Sequence, residues 1–533
     1  MPLTGTRPIL CLPVVQTNDR MINPFDRQDV SSLLRERAEQ RAAHPCLTFV
    51  PFEGQPVRLS YAAFADAVAR VAGGLARRGI RPGDRVLIVL ENCPETLIAR
   101  FACGWIGAVA VLGNPALTGP ELAQAANASG ARAAITQPRH AGRLAQHCGG
   151  LEWISVTASD AGDPPEAGTA PSADERFASL YAEPAVPIAP DPMRPALILF
   201  TTGTTGTPKG VLWTHANVLW GAKLNALQQA IRPEDVCQVF LPLFHVVGFS
   251  WCVLPALWSG AAVLLQPRFS ASRFWPVAAA HNATVGSQVI FTSNVLSQAP
   301  VPAHSFRQWV VARHVAAQAK LFGVREVSGW GMTEMIAQAI VGDPNVVQRD
   351  GSLGRPALPY RIRIEDDDGR PAQPGEPGHL KVHGVPGLSI FLRYDGDERA
   401  TREAFDEHGF FLTGDRVIRH EDGWIEFADR SKDVIKVGGE GVSAAEIEAV
   451  IRRVPGVQDV AVVGKPDPVY GEVVAAFVIG NQDDDLEAHI LAACSENLAR
   501  FKVPRQVVRV ADFPRLGFGK IAKAKLRAQL AGE

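Results

Sequence analysis

Phe200-Thr-Thr-Gly-Thr-Thr-Gly-Thr-Pro-Lys-Gly210 is the run that decides how the rest of the chain reads. The apolar segments Ala196-Leu-Ile-Leu-Phe200 before it and Val211-Leu-Trp213 after it predict a strand, a polar loop and a second strand. Gly203, Gly206 and Gly210 let the backbone take positive φ and approach a ligand closely. Thr201, Thr202, Thr204 and Thr205 add hydroxyls, and Lys209 adds a movable cation. Backbone N–H groups, hydroxyls and one ammonium on such a loop suit the phosphates of a nucleotide. The run is not a Walker A loop, which needs Gly-Lys-Ser/Thr opening a helix; here Gly210 follows Lys209. A Gly/Thr-rich surface linker is the plain alternative, and it accounts poorly for Pro-Lys-Gly between two apolar strands.

A chain of 533 residues is too long for one core, so about two to four structural units are expected. Charged residues at 20% and hydrophobic ones at 47% are ordinary for a globular protein. A formal net charge of -2 gives nucleic-acid binding no support. Eight scattered cysteines without a C-x-x-C pair indicate neither a zinc site nor a disulfide framework, and a reducing, cytoplasmic setting is expected. Val246 to Leu265 carries no charge, but Gly248, Ser250, Pro255, Ser259 and Gly260 interrupt it. It reads as a buried helix, a turn and the strand Ala261–Leu265, not as a membrane span. The N-terminus lacks an apolar signal core, and Ala531-Gly-Glu533 is not a peroxisomal signal.

The fold class is α/β. Helix 26–43, a hairpin near 46–60, an alanine-rich helix to Arg78, strand 85–90, helix 94–107, strand 108–112, helix 119–129 and strand 131–135 alternate as a parallel sheet covered on both faces requires. Residues 155–195 form a long connection with one helix near 174–182. Helix 215–230 follows the loop, and Val239-Phe-Leu-Pro-Leu-Phe-His245 reads as a strand running into a turn. From about 352 to 428 short strands and turns predict a small β unit. Residues 1–430 are thus expected to make a large N-terminal domain. Residues 431–533 are expected to make a small mobile α+β domain, in which Ser443-Ala-Ala-Glu446 predicts a capping box. Strands 457–464 and 472–480 and a helix near 485–500 complete it.

Five further segments follow the Thr-rich run in order: Leu241-Pro-Leu-Phe-His245, Gly329-Trp-Gly-Met-Thr-Glu334, Leu412-Thr-Gly-Asp415, Asp429-Arg-Ser-Lys-Asp433 leading to Gly438-Gly439-Glu440, and Pro514-Arg-Leu-Gly-Phe-Gly-Lys520. With the run at 200–210, they closely resemble the AMP-forming adenylating enzymes: acyl-CoA synthetases, adenylation domains and luciferases. The resemblance implies a ligase that uses ATP, Mg²⁺ and coenzyme A and passes through an acyl adenylate. A carboxylate must attack the α-phosphorus of ATP, and both are anions, so cations and donors must neutralise the developing charge.

The resemblance also implies roles. Thr201 to Gly206 and Lys209 cradle phosphates. Thr333 holds the α-phosphate and Glu334 holds Mg²⁺. Trp330, between Gly329 and Gly331, lies against adenine at a position that is usually Tyr. Asp415 takes the ribose hydroxyls and Arg430 assists. Lys520 bridges phosphate and carboxylate in the adenylating state, and His245 lies beside the acyl carboxylate. Rotation of the small domain about the hinge position Lys432 then brings Gly438 and Gly439 to wall the pantetheine tunnel. Each residue has an ordinary structural alternative as a core histidine, helix-start acid, turn residue or exposed cation; the ordered company of six motifs argues against it.

Gly375-Glu-Pro-Gly-His-Leu-Lys-Val-His-Gly, Phe269-Ser-Ala-Ser-Arg-Phe-Trp275 and Ala499-Arg-Phe-Lys-Val-Pro504 look like the carnitine/crotonobetaine and medium-chain acyl-CoA ligase branch. One departure stands out. The family has a strand ending in Gly-Gly-Ala before the Trp330 segment, whereas Val310–Gly323 has no Gly-Gly and is several residues short. An enzyme that only transfers preformed acyl-AMP to CoA is therefore one alternative. A free-standing enzyme loading a carrier protein is another, and an adenylate-binding protein without turnover a third. The acyl pocket is expected at 243–252, 287–294 and 328–338, where Phe244, Val246, Phe249, Trp251, Val289, Phe291, Met335 and Ile336 are apolar and no lone acid or base stands out. A hydrophobic carboxylic acid is the expected substrate. The oligomeric state stays open, a homodimer included.

Overall fold

The computed structural model of the chain describes residues 23–164, 175–201, 208–343, 345–430, 434–481, 485–514 and 521–530; positions 429, 430 and 524 are described by backbone alone. The expected class holds: a large mixed α/β domain and a smaller C-terminal one.

Two sheets build the large domain among the described residues. One has seven strands, in the order Arg393–Tyr394, Lys209–Thr214, Pro195–Thr201, Val109–Leu112, Arg85–Val89, Ala133–Thr136 and Trp153–Val156. Its last five strands are parallel, with uninterrupted apolar runs because helices cover both faces. Pro195–Thr201 and Lys209–Thr214 pair antiparallel, with Thr201 opposite Lys209, so the Thr-rich run joins two strands as expected. Beyond the sequence expectation, the helix Pro138–His147 and the strand Trp153–Val156 extend this alternation.

The second sheet has thirteen strands. The expected small β unit is continuous with it: Arg325–Trp330 pairs with Ile340–Val341, that strand with Ser352–Pro356, and the last with Ile425–Arg430. The run 239–245 needs correction. Its strand is Val236–Val239, and residues 240–245 leave the sheet as turns even though they are apolar. The segment after His245 is a π-helix, Val247–Val253, followed by the helix Leu254–Ser259, Gly260 at φ 73 and the strand Ala262–Leu265. Among the described residues no helix is long and apolar enough to cross a membrane.

The small domain is a five-stranded sheet with Ala444–Ile451 and Leu486–Asn497 packed on one core and Lys523–Leu530 on another. The predicted capping box is not formed. Ser443 is the N-cap but makes no side-chain cap bond, and the Glu446 carboxylate instead accepts from the buried ammonium of Lys502 at 2.8 Å.

Candidate active site

The Gly329-Trp-Gly-Met-Thr-Glu334 segment leaves the end of the Arg325–Trp330 strand and turns sharply. Its glycines are forced by close neighbours. A Cβ at Gly329 would lie 1.7 Å from the Gln338 amide, and one at Gly331 would lie 2.8 Å from the Trp251 ring. Ile336 closes the turn at φ 63 and ψ -54, with the Ala337 N–H donating to the Met335 carbonyl at 2.6 Å. This is a γ-turn centred on a β-branched residue, a conformation that persists only when its surroundings impose it. They do: Ile336 is fully buried, and its carbonyl accepts from the Ser250 hydroxyl at 2.7 Å.

Around this turn, segments far apart in sequence meet. The Trp330 indole N–H donates to Asp415 Oδ2 at 2.8 Å. The Tyr394 hydroxyl donates to Glu334 Oε1 at 2.8 Å, and the Lys209 ammonium lies 4.9 Å from the Tyr394 ring centroid. The Trp213 indole N–H donates to the Thr333 carbonyl at 3.0 Å, and the Phe391 N–H donates to that of Glu334 at 2.8 Å. Thr333, Glu334 and Asp415 are all buried. The structure therefore brings together Gly329, Trp330, Gly331, Thr333, Glu334 and Asp415, with Thr201 and Lys209 at the foot of the loop. Sequence reading missed Tyr394, which burial and the Glu334 carboxylate keep in its neutral phenol form. Thr202, Gly203, Thr204, Thr205, Gly206, Lys432 and Lys520 lie outside the described residues, as does the side chain of Arg430.

His245 is half-buried at the turn before the π-helix, and its Nδ1 accepts from the Val247 N–H at 3.3 Å. Burial, reinforced by the Lys436 ammonium of the small domain, pushes its pKa down to about 4, so the imidazole is neutral at physiological pH. On the other edge of the Trp330 strand, Gln308–Val311 passes to the helix Ala316–Phe322 through residues 312–315 alone. That short link is tied by Glu326, whose Oε2 accepts from the Val315 N–H at 3.0 Å and lies 2.8 Å from His314 Nδ1.

The small domain docks over this region. Gly438 and Gly439, at φ 61 and 100, form the two-residue turn between Val434–Val437 and Glu440–Ser443. Glycine suits both positions because that hairpin turn requires positive φ twice. The Gly438 N–H donates to the Tyr470 carbonyl at 3.0 Å, and the Tyr470 ring stacks on Phe291 of the large domain at 5.3 Å. Lys502, 2% exposed, donates to Glu121 Oε1 of the large domain at 2.6 Å as well as to Glu446. Burial works against the Lys502 charge, but the two carboxylates outweigh it and raise its pKa. Burial lifts the nearby Glu440 to about 7, with Lys502 only partly offsetting it.

Sequence reading also missed Arg100, on the buried helix Pro94–Trp105. Its guanidinium lies 3.7 Å from the Phe249 ring centroid, and Nη2 donates to the Leu243 carbonyl at 2.7 Å. Nothing in the local sequence separates it from the surface arginines around it; only the packing does.

A Gly-rich run joining two paired strands, a buried acid, an aromatic–aspartate pair and a docked small domain define an adenylate-forming enzyme. The chain belongs to the AMP-binding enzyme family: that family's model matches residues 34–394, and the model of its C-terminal domain matches 446–520. Within the AMP-forming acyl-CoA synthetases it falls in the carnitine-CoA ligase-like branch. A crotonobetaine/carnitine–CoA ligase of Salmonella paratyphi A is 34% identical over 519 residues, covering 94% of this chain and 99% of the relative. Among solved structures, a double mutant of o-succinylbenzoate CoA synthetase from Bacillus subtilis, bound to a product analogue, superimposes with a TM-score of 0.80. It is 26% identical, and the match covers 94% of this chain and 98% of that one. The same synthetase bound to AMP gives 0.66 at 27% identity and the same coverage, and so does its complex with the acyl-adenylate.

Proposed function

We propose that the protein joins a hydrophobic carboxylic acid to coenzyme A in two steps at one site. The acid carboxylate attacks the α-phosphorus of ATP, releasing pyrophosphate and leaving acyl-AMP. The CoA thiol then attacks the acyl carbonyl, releasing AMP. The observation that carries this reading is the direct chain of contacts from Asp415 through Trp330 to the Glu334 turn, and from Glu334 through Tyr394 to Lys209. It joins four distant segments, which this reading takes as a ribose acceptor, an adenine wall, a buried acid and a phosphate cation.

In this reading, Thr201 to Gly206 and Lys209 receive the phosphates, Thr333 the α-phosphate, and Trp330 the adenine. Asp415, with Arg430, receives the ribose. Glu334 fits Mg²⁺: a single buried carboxylate held by a tyrosine hydroxyl suits an ion that takes one or two carboxylates and completes its shell with phosphates. The ion would offset charge on the phosphates. Neutral His245 accepts the incoming acid without adding a charge of its own. Lys520 bridges phosphate and carboxylate in the first step; rotation about Lys432 then removes it and brings Gly438 and Gly439 to the thiol channel. The docked arrangement described above is read as the thioester-forming one, supported by the higher TM-score to the product-analogue complex than to the AMP complex. Lys502 and Glu121 would latch it.

The four-residue link at 312–315 favours a second reading, in which ATP is held weakly and the enzyme chiefly transfers preformed acyl-AMP to CoA. A panel of hydrophobic acids with ATP and free CoA, followed by mass detection of acyl-CoA and AMP, tests the first reading. The same panel given as synthetic acyl-AMP tests the second. Pyrophosphate exchange at rates matching thioester formation rules the second out, and adenylation without thioester on free CoA points to a carrier-protein acceptor.

A further inference from the structure

We propose that Arg100 selects acids carrying a second anionic group remote from the reacting carboxylate, so that the preferred substrates are α,ω-dicarboxylates with an apolar middle. This rests on the acyl-CoA ligase reading and narrows its substrate class.

Arg100 is 4% exposed, on a helix buried at every position but Glu95. Arginine seldom sits there without a counter-charge. The other deeply buried cation of an ion pair is matched: Lys502 faces two carboxylates. Half-buried Arg307 is matched too, by Asp235. Arg100 forms no ion pair among the described residues, and its Nε and Nη1 have no hydrogen-bond partner there. Cys103 is the titratable neighbour it feels, and that thiol is itself held neutral by burial. Burial alone pulls the guanidinium down, to about 9, which still leaves it charged at neutral pH.

Its location gives the orphaned charge a use. The two groups that hold it, the Leu243 carbonyl and the Phe249 ring, both belong to the 243–252 wall of the expected acyl pocket. Stacking on Phe249 occupies a face of the guanidinium and leaves N–H groups on its edges. A planar fork with unused N–H donors matches a carboxylate in geometry and in charge. Val246, Phe249 and Trp251 are apolar and buried in the same 243–252 segment and suit a methylene chain, with Arg100 as its end point. A site built around a charged hydrogen-bonding partner discriminates strongly against an analogue that lacks it, since the buried donor is then left unpaired.

The test uses the whole enzyme with ATP and CoA. Three acid series of matched length are compared by kcat/KM for thioester formation: α,ω-dicarboxylic acids, their monomethyl esters, and simple monocarboxylic acids. The diacid should exceed its half-ester by about 10²-fold at the best length. Arg100→Met should bring that ratio to about one, and Arg100→Lys should retain part of it. A wild-type enzyme that uses half-esters as well as diacids overturns the assignment, without reliance on any variant. Thioesters from monocarboxylic acids with no diacid preference overturn it while leaving the ligase reading intact. No thioester from any series overturns both.

Discussion

On one edge of the Arg325–Trp330 strand, the chain invests heavily in contacts. Trp330 donates to Asp415, Glu334 accepts from Tyr394, Ile336 is held in a γ-turn, and Gly329 and Gly331 have no room for a side chain. On the other edge, Gln308–Val311 reaches its helix through four residues, tied by Glu326 and by backbone bonds between His314 and residues 351 and 352. The first edge is over-determined, as a site must be to hold reacting groups in register. The second is only closed off. The difference teaches that the chain concentrates its buried contacts on the Trp330–Asp415 side, where nucleotide recognition is proposed, and that the link at 312–315 only carries one interior strand into its helix.

That contrast can be broken at several points. Asp415→Ala removes the acceptor of the Trp330 N–H and the proposed ribose contact; kcat/KM for ATP should fall by about 10²-fold. Trp330→Phe keeps a ring but deletes the bond to Asp415, and the same constant should fall by about tenfold. Steady-state kinetics at saturating acid and CoA reads both. Glu326→Gln on the thin edge should lower stability by about 1–3 kcal/mol in chemical denaturation while leaving the KM for ATP near wild type. A rise in that KM as large as the Trp330→Phe effect would show that the thin edge touches nucleotide after all, and the contrast would fail. The smallest effect concerns acid. The His245 pKa is depressed from 6.5 to about 4 by burial and Lys436. Between those values the unfolded chain binds more protons, so stability is complete above about 6.5 and is lost as pH falls toward 4, by at most about 3 kcal/mol. His245→Asn should flatten that part of a melting-temperature profile against pH.

Much of this was legible in the residues. The alternation of apolar runs and helices from 85 to 135 predicts the parallel sheet, and the strands on either side of the Thr-rich run pair with Thr201 opposite Lys209. What was illegible depends on partners distant in sequence. Asp415 and Trp330 are 85 residues apart, so neither predicts the bond between them. Ser443-Ala-Ala-Glu446 has the spacing of a capping box, but the Glu446 carboxylate instead accepts from Lys502, 56 residues on, a buried ammonium that needs a counter-charge. The apolar run 239–245 looks like strand because burial, not pairing, sets its composition. Arg100 carries no local signal at all.

The central claim is that one site serves two half-reactions through exchange of what the small domain presents. Lys520→Ala tests it most directly, with each half-reaction measured separately. The account predicts that ATP-dependent adenylation falls by about 10²–10³-fold, while thioester formation from synthetic acyl-AMP and CoA stays near the wild-type rate. A parallel loss of both half-reactions in a folded variant would contradict it.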